Sequence, residues 1–306
     1  MLYCKGLSRY HKILGLKFRT KLKPKHYNII GLIFGLKDGI GNRIFGLINA
    51  INYFTPNKIY IFWDDKNWVS AKFHDLFNFD LNTEIKEFNN ITKFNKIKRN
   101  CDLVIEKPDV CIKSLEGKSL GLKYNKLNIN TFLKYQKTFQ YLKPAEQLEE
   151  KINKNIPKEK FTALQIRNNS DWEDFGRNTD LNLFIKELNK SVETKNFFLS
   201  SMNKETSDKL KNRISEKIKI FELENKNYKS MQDAVCDLYI MAKAYNAIYS
   251  FGSTFGELAF WLSKTLQNVT VIGNQKKWIN KKHLKRANLK KYIKEFLWQK
   301  YQYFCP

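Results

Sequence analysis

The chain has 306 residues and a net charge of +25, with 42% hydrophobic and 14% aromatic residues. This length predicts two domains of about 150 residues each, and the hydrophobic content excludes a disordered chain. No apolar stretch reaches the roughly 18 to 20 residues that a transmembrane helix needs, and the basic N-terminus lacks the apolar segment of a signal peptide. The five scattered cysteines have no metal-ligand spacing and favour reduced thiols, so we expect a cytoplasmic protein.

The positive charge has more than one explanation. Lysine is spread along the chain apart from two denser stretches, 17–25 and 276–286, and Asn, Ile, Phe and Tyr are also abundant, as an AT-rich coding genome would produce. The remaining charge would attract an anionic substrate, or an anionic membrane surface at the periphery of which the protein would act. Nucleic acid is the less favoured partner, because the aromatic residues follow core periodicity and do not alternate with lysines on an exposed face.

The first half of the chain predicts an α/β domain. Residues 1–27 are basic and poorly patterned, and we expect them to form an arm. Apolar runs and helical spacing then predict a strand at 28–36, a glycine turn at 37–41, a helix at 42–54, a strand at 58–63 and a later strand at 102–106. Strand, helix and strand at these lengths form a parallel βαβ unit.

The second half repeats this alternation. We expect a first domain at 28–145, a second at 146–279 and a basic C-terminal helix within 280–306 that packs back. In the second domain the patterns predict strands at 161–166, 196–200, 219–223, 247–251 and 269–272, with helices at 206–217, 231–244 and 254–263. The predicted fold class is therefore α/β, with two Rossmann-like parallel-sheet domains that face each other across a cleft.

One arginine stands at the end of a predicted buried strand. The segment 161–172, FTALQIRNNSDW, is apolar until Arg167 and polar after it. In open α/β sheets, ligands bind outside the carboxyl ends of the strands, and a guanidinium there suits phosphate oxygens. The alternative is that Arg167 pairs with a nearby carboxylate.

Two helix starts offer backbone amides to an anion. In 35–43, GLKDGIGNR, the glycines allow close approach, and Asn42 either caps the helix or reaches a sugar or phosphate oxygen. In 251–257, FGSTFGE, Ser253 and Thr254 are natural N-caps, and Glu257 completes a capping box with Thr254. The same serine and threonine would also cradle a diphosphate.

Taken together, these motifs resemble fucosyltransferases of the GT-B fold, the protein O-fucosyltransferases and the related α1,2- and α1,6-fucosyltransferases. The resemblance extends over about 28–273 and rests on four segments: GIGNR at 39–43, LQIRNNSDW at 164–172, YLKPAEQLEEKI at 141–152 and DLYIMAKAYNAIYSFGSTFGE at 237–257. They are similar to the family's glycine–asparagine loop, its HxR donor motif, its interdomain helix and its C-terminal motif. Three residues depart from the family: Gln165 replaces a histidine, Asn168 an arginine and Arg43 a glutamine.

This resemblance implies an inverting transfer of fucose from GDP-fucose to a hydroxyl of a glycan or protein acceptor, with no cofactor and no metal. It implies catalytic roles for Arg167, facing the β-phosphate, and for Asn42. The residues that it places around the donor are Gly39, Gly41, Arg43, Gln165, Asp171, Trp172, Asp237, Ser253, Thr254 and Phe255.

Two alternatives stay open at this point. One is a basic nucleic-acid-binding protein, and the other is a non-catalytic relative that binds a nucleotide sugar or a glycan, which the substitutions Gln165 and Asn168 keep in play. Asp38, Asp64 and Glu257 are the candidates for a general base, although each also has a structural explanation in a turn or a cap.

Overall fold

The computed structural model describes residues 2–5, 26–34, 38–66, 69–106, 108, 129–167, 180–190, 195–250, 253–265 and 267–273. Asp171, Trp172, Asn168 and the predicted C-terminal helix lie outside these residues. The chain divides into two compact units, Met1–Leu120 with Leu127–Ala145 and Gly121–Lys126 with Glu146–Pro306. Within the described ranges, no helix combines the length and the apolar character needed to cross a membrane.

Unit 1 is a parallel sheet with helices. Its elements are β1 (Leu2–Lys5), β2 (Ile29–Ile33), α1 (Ile40–Phe54), β3 (Lys58–Phe62), α2 (Phe73–Leu76), β4 (Phe77–Phe79), β5 (Glu84–Phe88), α3 (Ile91–Ile97), β6 (Leu103–Glu106), α4 (Ile129–Gln140) and β7 (Leu142–Pro144). The main sheet has the order β1-β6-β2-β3-β5 with every neighbouring pair parallel, and β4 and β7 form a separate antiparallel pair. The predicted parallel pairing of β2 and β3 is confirmed.

The central strand and the first helix of unit 1 are largely buried. In β2, Gly31 leaves room for a thiol, a valine and a phenylalanine, which lie 3.2 to 3.4 Å from the position that a Cβ would take. Helix α1 is buried along almost its whole length, including its polar residues Arg43, Asn49 and Asn52. Its buried Asn52 accepts a 2.8 Å hydrogen bond from the Thr138 hydroxyl of α4, which satisfies part of that polar group.

Two strands of unit 1 differ from the sequence-based expectation. Leu2–Lys5, which we assigned to the N-terminal arm, forms edge strand β1, parallel to β6. Its four residues are too few to show an alternation. The second is β5, whose sequence EIKEF alternates charged and apolar residues, and which lies at the other edge of the sheet. Edge strands carry charge and are short, so their hydrophobic signal is weak.

Unit 2 is also built on a parallel sheet. Its elements are α5 (Glu146–Asn155), β8 (Thr162–Ile166), α6 (Leu181–Lys190), β9 (Asn196–Ser201), α7 (Lys204–Lys211), β10 (Lys219–Phe221), α8 (Met231–Met241), β11 (Asn246–Ser250), α9 (Thr254–Leu262) and β12 (Asn268–Ile272). The sheet has the order β10-β9-β8-β11-β12, and all its neighbouring strands are parallel. Each strand expected in this half is present within a few residues of its predicted bounds, and the predicted α/β fold class with two parallel sheets is confirmed.

Two helices of unit 2, α6 and α7, differ from the sequence-based expectation. Helix α7 begins at Lys204 because Asn203 caps it, accepting a 2.8 Å hydrogen bond from the Thr206 amide. It ends at Lys211 and not at the predicted 217, since Asn212 and Ser215 favour turns over helix interiors. Helix α6 was not predicted, although Leu181, Phe184 and Leu188 form a buried face at helical spacing.

The strand order places a crevice in each sheet. In unit 2 the chain runs outward from β8 to β9 and β10, and then returns to β11 on the other side of β8. The connections after β8 and β11 therefore leave in opposite directions, and ligands bind at such a switch point. In unit 1 the chain likewise runs from β2 to β3 and β5 and returns to β6, so the turn after β2 lies at the corresponding point.

Gly256 allows α9 to lie close against β11. A Cβ at this position would lie 2.9 Å from Cγ and 3.1 Å from Cβ of Tyr249. The Tyr249 ring is buried, and its hydroxyl donates a 2.8 Å hydrogen bond to Gln267, so the ring is held in place. Gln267 in turn donates to the carbonyls of Met241 and Ala244.

We expect Gly256→Ala to destabilise unit 2. Because the ring is held, the overpacking cost should be near the upper end of about 1 to 3 kcal/mol and exceed the gain of roughly 1 kcal/mol in helix propensity. The measurement is the free energy of unfolding in urea. Gly39→Ala is the matched control, since a Cβ at Gly39 would meet nothing within 4 Å; equal effects of the two substitutions would contradict the close approach.

Candidate functional site

Arg167 lies at the switch point of unit 2, directly after β8. The register pairs Gln165 of β8 with Tyr249 of β11, so Arg167 lies just beyond the last ladder pair of these two strands. Its backbone amide donates a 2.7 Å hydrogen bond to the hydroxyl of Ser250, the last residue of β11. Arg167 is partly exposed. The arginine predicted from sequence therefore stands at the sheet edge where a ligand binds in this kind of fold.

The start of α9 lies at the same edge. Ser253 is its N-cap: the Ser253 hydroxyl accepts a 3.3 Å hydrogen bond from the Gly256 amide, and the residue is 4% exposed. The Ser253 amide donates to the carbonyl of Ser250 at 3.2 Å, which attaches the helix start to the end of β11. Thr254 and Phe255 are partly exposed in the first turn, where helix geometry leaves amides without intrahelical acceptors.

Gln165 has an internal role in the structure. It is 4% exposed, and its side-chain oxygen accepts a 3.3 Å hydrogen bond from the Ser250 amide. This residue thus joins the ends of β8 and β11, at the position where the resembling family has a histidine. A direct contact between Gln165 and a donor stays a prediction.

Asp237 forms a buried ion pair. Its carboxylate lies 2.6 Å from the Lys226 ammonium, and the two side chains are 1% and 6% exposed. Lys226 also donates to the carbonyl of Ser201, the last residue of β9, and lies 4.7 Å from the centre of the Tyr228 ring. Burial raises the pKa of Asp237, and the Lys226 ammonium opposes that rise. The carboxylate of Asp237 thus pairs with a lysine that the sequence did not predict as its partner, and its contact with a donor stays a prediction.

The glycine turn of unit 1 leads directly into α1. The helix begins at Ile40, with Gly39 as its N-cap and no side-chain cap. Asn42 consequently lies in the first turn and is not the capping residue, which removes one of its two predicted roles. Gly39 and Asn42 are partly exposed, whereas Gly41 is buried.

Arg43 is buried beneath this turn with no exposed surface. Its Nε donates to the carbonyl of Asp38 at 2.9 Å, and its Nη1 donates to the carbonyl of Asp64 at 2.8 Å. The guanidinium carbon lies 4.9 Å from the centre of the Trp63 ring. Burial lowers the pKa of Arg43, and the carboxylates of Asp64, Asp38 and Asp65 oppose this change. In the structure the Arg43 side chain joins the Asp38 and Asp64 segments, and its direct contact with a donor stays a prediction.

The structure also places the three candidate general bases. Asp64 is 7% exposed, while Asp38 and Glu257 are partly exposed. Among the residues that the structure describes, no group of three or more His, Cys, Asp or Glu side chains is arranged to hold a metal ion. The expectation of a metal-free reaction stays a prediction.

The effects of substitutions at Lys226 and Asp237, the buried ion pair of unit 2, should be strongly coupled. Lys226→Met leaves a buried carboxylate, and we expect a loss of about 3 to 5 kcal/mol in the free energy of unfolding. The double variant Lys226→Met with Asp237→Leu should recover most of that loss, because a buried pair replaced by apolar residues is often neutral.

The effect of the single variant should also depend on pH. Since burial raises the pKa of Asp237 and no ammonium then opposes it, the cost is present above the folded-state pKa and shrinks as pH falls through it. Denaturation at pH 5 and pH 8 tests this. Lys204→Met removes an exposed pair with Asp208 and should cost about 1 kcal/mol or less; a similar cost at both sites would contradict the proposed burial effect.

Replacement of Arg43 should destabilise unit 1. Arg43→Met leaves two carbonyls without their donor, each worth about 1 to 3 kcal/mol when buried. Arg43→Lys should recover little, because an ammonium does not reproduce the planar fork that reaches both carbonyls. Urea denaturation measures the change, and Arg99→Met, at an exposed position, should leave the free energy of unfolding unchanged. A lysine variant as stable as the parent would argue against the fork.

We compared the chain with protein families, curated proteins and solved structures, and only solved structures match it. No protein-family model matches the sequence, and no curated protein matches it. Among solved structures, NodZ α-1,6-fucosyltransferase with GDP has a TM-score of 0.51 at 12% identity, over 80% of this chain and 94% of that one. POFUT1 in complex with GDP has a TM-score of 0.51 at 13% identity, over 81% and 99% of the two chains. Fucosyltransferase NodZ from Bradyrhizobium has 0.52 at 11% identity, over 82% and 96%. The chain therefore has the fold of GT-B fucosyltransferases, as its motifs predicted.

Proposed function

We propose that the chain is an inverting glycosyltransferase that moves fucose from GDP-fucose to a hydroxyl of a glycan or protein acceptor, without a metal. The observation that carries this proposal is the position of Arg167 beside the start of α9 at the switch point of unit 2. Two of the structurally similar fucosyltransferases contain GDP, which supports a guanine nucleotide as the donor's carrier.

The chemistry explains why these groups are suited to the reaction. As the bond between fucose and the diphosphate breaks, negative charge grows on the β-phosphate. A guanidinium and a helix N-terminus fixed beside it interact more strongly with the transition state than with the ground state. The helix end carries roughly half a positive charge. Arg167 and the first-turn amides of α9 would thus share the stabilisation of the leaving group.

The remaining donor contacts follow from this arrangement. Because the Ser253 hydroxyl caps the helix, we assign the diphosphate contacts of this turn to the Thr254 hydroxyl and to the amides, and we place Phe255 beside the nucleoside. Asn42 is the proposed second catalytic residue, contributed by the turn at the start of α1. Gly39, Gly41, Asp171 and Trp172 keep their proposed donor contacts.

A second candidate is a non-catalytic protein that binds a nucleotide sugar or a glycan. The specific observation in its favour is that two predicted donor contacts are engaged inside the protein, Gln165 with Ser250 and Asp237 with Lys226. This candidate predicts binding without turnover. We also propose a cytoplasmic location, which cell fractionation tests, and a peripheral contact with anionic membranes, which binding to anionic vesicles tests.

The test is a panel of GDP, GDP-fucose and UDP- and CMP-sugars, scored by the melting temperature of the purified chain and then by release of fucose. We expect GDP and GDP-fucose to raise the melting temperature. Arg167→Ala should slow fucose release on the order of a hundred- to a thousandfold, the usual cost of removing one preorganised donor.

Arg213→Ala is the matched control, since Arg213 is an exposed arginine of the same unit and should leave the rate unchanged. Stabilisation by UDP- or CMP-sugars alone would exclude the guanine nucleotide. Binding of GDP-fucose without release, with or without an acceptor, would favour the non-catalytic candidate.

A further inference from the structure

We propose that Ser250 is the positioning residue that sets the place of Arg167 relative to the start of α9. This inference rests on the proposed function, because it concerns the two groups that would hold the donor diphosphate. Ser250 is the last residue of β11 and is 2% exposed.

The hydroxyl of Ser250 joins β11 to the end of β8. It accepts the 2.7 Å hydrogen bond from the Arg167 amide and donates a 3.3 Å hydrogen bond to the carbonyl of Gln165. A hydroxyl has a single donor hydrogen, and here the hydroxyl donates to β8 and accepts from Arg167, the residue directly after β8. The hydroxyl thus bonds to the chain on either side of Ile166, where β8 ends.

The main chain of Ser250 makes the other two connections. Its amide donates to the side-chain oxygen of Gln165 at 3.3 Å, and its carbonyl accepts from the Ser253 amide at 3.2 Å. Ser253 is the N-cap of α9. One buried residue is therefore bonded to the amide of Arg167, to Gln165 and to the cap of the helix.

These contacts occur where regular pairing stops. The register between β8 and β11 ends at Gln165 and Tyr249, and the connections beyond diverge at the switch point. The Ser250 hydroxyl adds a hydrogen bond from β11 to the Arg167 amide beyond the ladder. A displacement of about 1 Å of a catalytic group costs on the order of a hundredfold in rate, so a bond at this position has a direct consequence for turnover.

Ser250→Ala tests the inference because it removes the hydroxyl and leaves the main-chain contacts. We expect the turnover number for fucose release to fall about 10- to 100-fold, while the dissociation constant for GDP changes less than about threefold. Ser250→Thr keeps the hydroxyl on a residue suited to a strand and should restore most of the turnover. Hydrogen exchange of the Arg167 amide should become faster in the alanine variant and stay slow in the threonine variant.

Ser263→Ala is the matched control. Ser263 is also a buried serine of unit 2, and its hydroxyl donates to the Thr265 carbonyl at the end of α9. It should change the melting temperature without changing turnover or the exchange of the Arg167 amide. Unchanged turnover in Ser250→Ala, or an equal loss in Ser263→Ala, would overturn the positioning role.

The two proposals fail in different ways. If the unmodified chain neither binds nor cleaves GDP-fucose, the proposed function is wrong, and the exchange measurement still reports whether Ser250 holds the Arg167 segment. If the unmodified chain is active and Ser250→Ala has slow exchange at Arg167 and full turnover, the proposed function stands and the positioning role is wrong. The melting temperature of each variant shows whether that variant is folded. If Ser250→Ala does not fold, the exchange rate of the Arg167 amide in Ser250→Thr is compared with the rate in the unmodified chain.

Discussion

The return of the chain from β10 to the far side of β8 is the constraint on which the rest of unit 2 depends. It places the ends of β8 and β11 side by side and sends their connections in opposite directions. Arg167 and the start of α9 meet there because each directly follows one of these strands. Gly256 also allows the helix to lie close against Tyr249 of β11. Strand order therefore determines that Arg167 and the start of α9 lie at the same edge of the sheet.

The two units fix the turns at their switch points by different means. Unit 2 uses neutral groups, a serine hydroxyl and a glutamine amide, which cost little to bury once they are hydrogen-bonded. Unit 1 uses the buried cation of Arg43, which joins the carbonyls of Asp38 and Asp64. Burying a cation is expensive, and the nearby carboxylates offset only part of that cost, since the pKa of Arg43 remains lowered. The planar guanidinium can, however, donate to two segments at once, here at Asp38 and Asp64.

The parts that the sequence predicted are those with a local signal. Buried parallel strands such as β8 and β11 are short apolar runs between turn formers, and both were predicted within a few residues. The edge strands β1 and β5 lack that signal. The environments of Gln165, Asp237 and Arg43 could not be predicted, because their partners Ser250, Lys226 and Asp64 are brought near by the fold. Ser250 gave one sign, a polar residue within the predicted strand 247–251, AIYSF.

The resemblance implied a single set of donor-binding residues, but the proposed function contains two tasks, contact with the diphosphate and recognition of the base. Under the proposed function, Arg167 and the first-turn amides of α9 would contact phosphate through charge and backbone dipoles, and any nucleoside diphosphate would satisfy these groups. Recognition of a base needs side chains with a fixed pattern of donors and acceptors. Asp237, one of the carboxylates placed near the donor, already has a buried ammonium as its partner. Under the proposed function, contact with the diphosphate and recognition of the base would therefore fall to different residues, and the Lys226–Asp237 pair, whose charges satisfy each other, would belong to the frame of unit 2.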